Sequence, residues 1–184
     1  MTLTKSGNTL RKLIIFALLA DLMFVSKIVM EFLPNFHMLA MLITVITVVY
    51  RWQALIPIYM FVFIFGLYYG FSLWWVPYLY IWTILWALVM LLPRNMPKKI
   101  AIPVYIFVNV LHGCMYGILY APFQAWWLDL NFEATVAWVI AGLPWDLIHG
   151  IGNAIVGLLI WPLIQTLGKL ESRFTVSERR SVKQ

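Results

Sequence analysis

Tyr78-Leu-Tyr-Ile-Trp-Thr-Ile-Leu-Trp-Ala-Leu-Val-Met-Leu-Leu92, followed at once by Pro93-Arg-Asn-Met-Pro-Lys-Lys99, is the stretch that decides the fold. A run of this kind carries no charge and ends on a short loop that holds Arg94, Lys98 and Lys99. Apolar length of this order, closed by cations, is how a membrane-crossing helix with a cytoplasmic turn reads. Outward from it the same alternation recurs. Lys5, Arg11 and Lys12 precede the first apolar run, Arg51 lies between the second and third, and Lys169, Arg173, Arg179, Arg180 and Lys183 follow the last. Of 13 Lys and Arg residues, all but Lys27 fall on one side of this layout. Basic residues are poorly translocated, so that side is the cytoplasm and both termini are predicted there. The opposite turns carry Glu31, Asp129 and Glu133 and no cation.

Composition points the same way. Hydrophobic residues make up 64% of the 184, charged residues 11%, and the mean hydropathy is +0.90, whereas soluble domains carry roughly 25% charged residues. The net charge of +6 would suggest nucleic acid in a soluble chain. Here the positive-inside pattern and anionic lipid head groups account for it, and no nucleic-acid partner is expected. Cys114 stands alone inside an apolar run, which excludes a disulfide framework and a thiolate metal cluster. The first run has no small-x-small cleavage site at its end and is kept as a helix rather than a signal peptide.

The fold expected is an all-α integral membrane protein, a six-transmembrane-helix bundle in a single domain over 1–184. The spans are read at about 13–30, 38–50, 54–71, 78–92, 100–120 and 144–164. Pro34 and Asn35 break the chain between the first two, and Arg51 and Trp52 form the next turn. The second span is short for a ~30 Å hydrocarbon core. From Val136 to Ile164 the chain is apolar for longer than one crossing needs. Pro144 is placed at the first turn of the sixth span, where a missing N–H has no intrahelical partner, and Asp146 then meets the helix dipole. Residues 121–143 become an outer loop with a short interfacial helix from Asn131. A single long tilted helix is the alternative. Gly66-x-x-x-Gly70 and Gly113-x-x-x-Gly117, with Gly150, Gly152 and Gly157, are expected at close helix contacts.

Ionisable groups within spans are costly and are read first as functional. Lys27 and Glu31 form an i, i+4 pair near the outer end of the first span. Asp21 lies nearer the middle and calls for a partner. On the sixth span Trp145 or Asp146, His149 and Asn153 share a face. The fifth offers Asn109, His112 and Tyr116 at the same spacing, then Tyr120, and the fourth offers Tyr78, Trp82 and Trp86 with Trp74 and Trp75 just outside. Aromatic planes interleaved with a few hydrogen-bonding groups are the make-up of a small-molecule pocket. Trp52, Trp126, Trp127 and Trp161 fit an interfacial belt. Asp146, His149 and His112 satisfy a zinc-ligand count, yet Asp and His at i, i+3 also make a bonded pair within a bundle. No HExxH motif accompanies them, so neither a metal nor a catalytic residue is expected. No GxxxxGK[ST] motif occurs, and energy for uphill transport would have to come from elsewhere.

Leu143-Pro-Trp-Asp-Leu-Ile-His149 is similar to the Pro-x-Asp/Asn-Leu-Ile-Lys segment that opens the last helix in substrate-capture (S) components of energy-coupling factor (ECF) vitamin importers. The basic turn Arg51-Trp-Gln, followed by a span that ends Gly66-x-x-x-Gly70-Phe, resembles the same family, as do the six short spans. Two departures stand out. The Ala-x-x-x-Ala docking patch of the first span has as its nearest counterpart Ala17-Leu-Leu-Ala20-Asp21, and His149 stands in place of the usual Lys. The resemblance implies capture of a vitamin-like molecule at the outer face of the bacterial plasma membrane. It also implies docking through Ala17, Ala20 and Asp21 on a coupling transmembrane (T) subunit that works with two ATPase subunits. No cofactor is expected on this chain, and ATP is bound by the partners. Aromatic walls favour a large or flat ring system. Few charges and many aromatic groups suit cobalamin, with pyridoxine-, thiamin- or purine-like rings as alternatives. An ion-coupled carrier using Asp21 and Asp146, or an intramembrane enzyme, are the readings from other classes.

Overall fold

The structure, a computed structural model, describes residues 5–33 and 35–181, with side chains over 9–33 and 35–173. Pro34 and Lys183, which enter the readings above, lie outside the described residues, as do the side chains of Lys5, Arg179 and Arg180. The described chain is helical: α1 (Lys5–Val29), α2 (Leu39–Tyr50), α3 (Leu55–Tyr69), α4 (Val76–Leu91), α5 (Lys98–Cys114), α6 (Tyr116–Leu128), α7 (Phe132–Gly157) and α8 (Ile160–Ser181). By length and composition four helical stretches can cross a membrane: Leu39–Tyr69, Leu73–Leu91, Lys98–Leu128 and Phe132–Gly157.

Helix α2 is the axis of the molecule. Every residue from Leu39 to Thr47 is buried, because α1, α4, α5, α7 and α8 all pack on it. A helix apolar on all sides is stable only when something apolar surrounds it. Its shortness follows: 12 residues span ~18 Å, and the surrounding helices rather than lipid cover it. A 3₁₀ turn, Arg51–Ala54, leads into α3. Arg51 takes φ 54°, costly for a side chain with a Cβ. It is fixed at both ends, since Nη2 donates to the Met90 carbonyl at 2.8 Å and its own carbonyl accepts the Trp86 indole N–H at 3.1 Å. At the far end of α3, Gly70 (φ 86°) terminates the helix. A Cβ on Gly70 would meet nothing within 4 Å, so this glycine serves the turn and not a helix contact.

Two sequence boundaries are corrected. The fifth span was expected to stop near residue 120 and give way to an outer loop. Instead α5 passes into α6 through Met115, with Met115 N–H on the Leu111 carbonyl and Leu119 N–H on the Met115 carbonyl, both at 2.9 Å. The connection to α7 is only Asp129 to Asn131. Asp129 is left-handed (φ 50°), and Asn131 caps α7 by accepting the Ala134 N–H at 2.8 Å. The helix after Asn131 is not short. It runs unbroken for 26 residues with Pro144 inside it, so Pro144 opens no helix; nor does the helix reach residue 164 as expected of the sixth span, since it ends at Gly157 and α8 begins at Ile160. A proline within a helix forfeits one backbone hydrogen bond. Here the helix is carried past it by packing on α5 and α6.

That packing is close. A Cβ on Gly113 would lie 2.7 Å from Asn153 Nδ2 and 3.1 Å from the backbone of His149 and Gly150. One on Gly117 would lie 2.5 Å from Asp146 Oδ2, and one on Gly150 would strike Cys114 Sγ. Small residues spaced by four thus bring the two backbones together. Outward, Leu18, Leu22, Phe63, Leu67, Phe107, Leu147, Ile151 and Ile155 are exposed, the surface expected against hydrocarbon.

Candidate binding site

The C-terminal end of α1, the C-terminal end of α3 and the start of α4 meet at the end of the bundle opposite Arg51. They enclose a cleft of about 290 Å³ lined by Lys27, Glu31, Phe65, Tyr69, Trp74 and Tyr78. Phe65 and Tyr69 share a face of α3 at i, i+4, and Trp74, Tyr78 and Trp82 follow the same spacing into α4. The Phe65 and Tyr78 rings stack at 5.4 Å with an 8° interplanar angle, and Trp74 stands edge-on to both at 5.5 and 5.6 Å.

Behind Tyr78 lies a closed aromatic and imidazole cluster. Trp82 is edge-on to Tyr78 at 5.6 Å and lies 5.7 Å from His112 and 6.0 Å from Tyr116. Tyr116 is 5.2 Å from His149, and His149 is 4.6 Å from His37. His112 Nε2 lies 3.1 Å from the Ile81 carbonyl. A carbonyl can only accept, so Nε2 carries the proton and Nδ1 is left as a bare acceptor. Among the described residues, His37 Nδ1, His112 Nδ1, His149 Nε2 and the Trp82 indole N–H are all buried with no hydrogen-bond partner. Each such group costs about 1–3 kcal/mol, and four of them belong to one cluster of packed rings. His37 sits in the turn outside the helices. Burial holds its imidazole well below the usual 6.5, and Lys27 and His149 act in the same direction.

One layer deeper the polar groups bind each other. Asn109 Nδ2 donates to Thr44 Oγ1 and to the Tyr105 carbonyl, both at 2.8 Å, and Asn153 Nδ2 donates to the Asn109 carbonyl at 2.8 Å. Asp146 Oδ2 accepts the Gly117 N–H at 3.0 Å. The carboxylate therefore meets the first turn of α6 and not, as expected from Pro144, that of its own helix.

Of the residues singled out from sequence, Trp82, His112, Tyr116 and His149 come together in the cluster, Trp74 and Tyr78 line the cleft, and Asn109, Asn153 and Asp146 join α5 and α6 to α7. Three tryptophans go elsewhere. Trp145 is 52% exposed, and its carbonyl accepts from Asn35 Nδ2 at 3.2 Å. Trp75 donates its indole N–H to the Val62 carbonyl at 2.8 Å and pins α3. Trp86 serves Arg51 at the other end of the bundle. In the set expected to dock a partner, Ala20 is fully buried against the core, Ala17 is half-buried and Asp21 is exposed. Ala20 thus packs inward and offers no docking surface. Asp21 turns away from the helices from which a partner was expected.

Sequence reasoning missed His37, Phe65 and Tyr69 and put Lys27 and Glu31 down as a simple pair. The i, i+4 spacing of Phe61, Phe65 and Tyr69 was a legible signal. For His37 there was none, because its ring partners Trp82 and His149 are more than 40 residues away in the chain. Among the described residues no three His, Cys, Asp or Glu side chains are placed to hold a metal ion. Comparison with known proteins gives no match: no family model, no curated protein and no solved structure is significantly similar to this chain.

Proposed function

We propose that the chain is the substrate-capture component of an ECF-type vitamin importer in the bacterial plasma membrane. In this reading six helices cross the bilayer and both termini are cytoplasmic. The protein is a transport component and not an enzyme, with ATP hydrolysis on separate subunits reached through a coupling transmembrane protein. The observation that carries the reading is the aromatic cleft at the bundle end opposite the basic turns, on a chain with no nucleotide motif. With both termini inside, that end faces outward, where a capture protein must meet its ligand. The cleft also bears on the substrate. Small-molecule pockets span ~300–1,000 Å³, and about 290 Å³ matches one or two rings of pyridoxine, thiamin or purine size. A corrinoid such as cobalamin would rest on the rim with most of its bulk outside, so the smaller rings are the favoured class. Mass spectrometry of ligand carried through purification tests the proposal, together with uptake measured with and without the coupling protein and its ATPases. A one- or two-ring compound retained by the chain and accumulated only with the partners is the expected result. Full accumulation by the chain alone would refute it and make an ion-coupled carrier of the protein.

A further inference from the structure

We infer that His37 fills, with its own imidazole, the place where a neutral planar nitrogen heterocycle binds. This rests on the capture reading and narrows its ligand class. His37 belongs to the short segment between α1 and α2, outside any helix, yet only 6% of it is exposed. The segment is laid along one stripe of α7. Asn35 reaches the Trp145 carbonyl, Phe36 covers Gly152 so closely that a Cβ there would fall 2.8 Å from its ring, and His37 meets His149. Positions 145, 149 and 152 follow i, i+4, i+7, one face of a helix. The His37 ring is edge-on to His149 at 4.6 Å and to Trp82 at 6.1 Å, as a bound ring in an aromatic box would be.

A histidine kept only for packing would have its nitrogens satisfied, or would be replaced by an apolar ring. Here His37 Nδ1, His149 Nε2, His112 Nδ1 and the Trp82 N–H are all buried and unmet among the described residues. The two rings against His37 carry a fixed donor, the Trp82 N–H, and an imidazole on His149 free to be either, and the His112 Nδ1 acceptor belongs to the ring that packs on Trp82. Those are the partners of a ring that bears a nitrogen acceptor beside an N–H or amino donor. Access is short, since Tyr78 lines the outer cleft and its ring touches Trp82. When the His37 side chain swings out, the vacated volume lies one ring behind the cleft floor. The tethered imidazole and the free heterocycle compete for it.

The test uses the full chain in detergent, with imidazole and 4-aminopyrimidine as probes and benzene as the ring without nitrogen. Binding is read from tryptophan fluorescence and from the melting temperature. His37→Ala should bind both heterocycles saturably and at least tenfold more tightly than wild type, and should recover melting temperature as they bind. Benzene should not substitute, and adding His149→Phe should abolish the gain. Folded His37→Ala that binds the heterocycles no better than wild type, or no better than benzene, overturns the inference. So does a variant that cannot be recovered folded with imidazole present throughout, because the free ring should replace the tethered one. Tight binding of a vitamin by wild type that is indifferent to His37→Ala would end this inference and leave the capture reading standing. Absence of any vitamin binding, with both heterocycles still filling His37→Ala, would end the capture reading alone.

Discussion

Gly113→Ala is the perturbation whose cost the structure states most directly. The new methyl would stand 2.7 Å from Asn153 Nδ2 and 3.1 Å from the Gly150 nitrogen and the His149 carbonyl carbon. The Asn153 amide cannot retreat freely, because it donates to the Asn109 carbonyl at 2.8 Å in a fully buried layer. Losing that bond and stranding its partners costs about 1–3 kcal/mol. The backbone contacts force α5 and α7 apart by a few tenths of an ångström, an overpacking term of about 1–3 kcal/mol. Alanine's better helix propensity returns about 1 kcal/mol. The net expectation is a loss of about 1–5 kcal/mol. Gly142→Ala in α7 is the control: nothing lies within 4 Å of a Cβ there, so only the propensity gain of about 1 kcal/mol applies. Reversible unfolding in mixed micelles by SDS titration, followed by tryptophan fluorescence, measures both variants. Gly113→Ala as stable as Gly142→Ala would refute the close-contact account of the α5–α7 pair.

Cysteines placed near Lys98 should resist impermeant thiol reagents in intact cells while ones near Trp127 react, and labelling at both positions would sink the proposed topology. Trp82→Ala should destabilise the chain by about 3–5 kcal/mol and weaken ligand binding at least tenfold, whereas Trp161→Ala, distant from the cleft, should leave binding within about twofold of wild type. Trp145→Ala should fall within about 0.5 kcal/mol of wild type because that ring is exposed. Asp146→Asn keeps an acceptor for the Gly117 N–H and should cost little, while Asp146→Ala should cost about 1–3 kcal/mol in the same titration. His37 is held neutral in the folded chain and titrates near 6.5 once unfolded. Its contribution is therefore flat above that pH and reduces stability as the pH falls below it, by up to ~1.4 kcal/mol per unit. A melting temperature that falls as steeply below pH 6.5 in His37→Gln as in wild type would assign the titration to other groups.

The sequence alone determined the helical character, the long apolar stretches and the gathering of cations at particular turns. It also determined that Trp82, His112, Tyr116 and His149 would stand on helix faces able to meet. These properties are local: residue type sets what can be buried, and a period of 3.6 sets which side chains share a face. Tertiary structure decided which faces turned inward. In water the polar side of a helix shows which side is out, but here both sides are apolar and the sequence carries no such mark. That is why Trp86, Trp75 and Trp145, equally good candidates by spacing, went to Arg51, to Val62 and to the surface. It is also why the cleft formed among α1, α3 and α4, while the sequence had nominated the fourth, fifth and sixth spans. Pro144 could not be placed by local rules either, because the contacts of Gly113 and Gly117 with α7 outweigh one missing hydrogen bond. His37 reached its neighbours only through the path of the chain between α1 and α2, and no local pattern encodes that path.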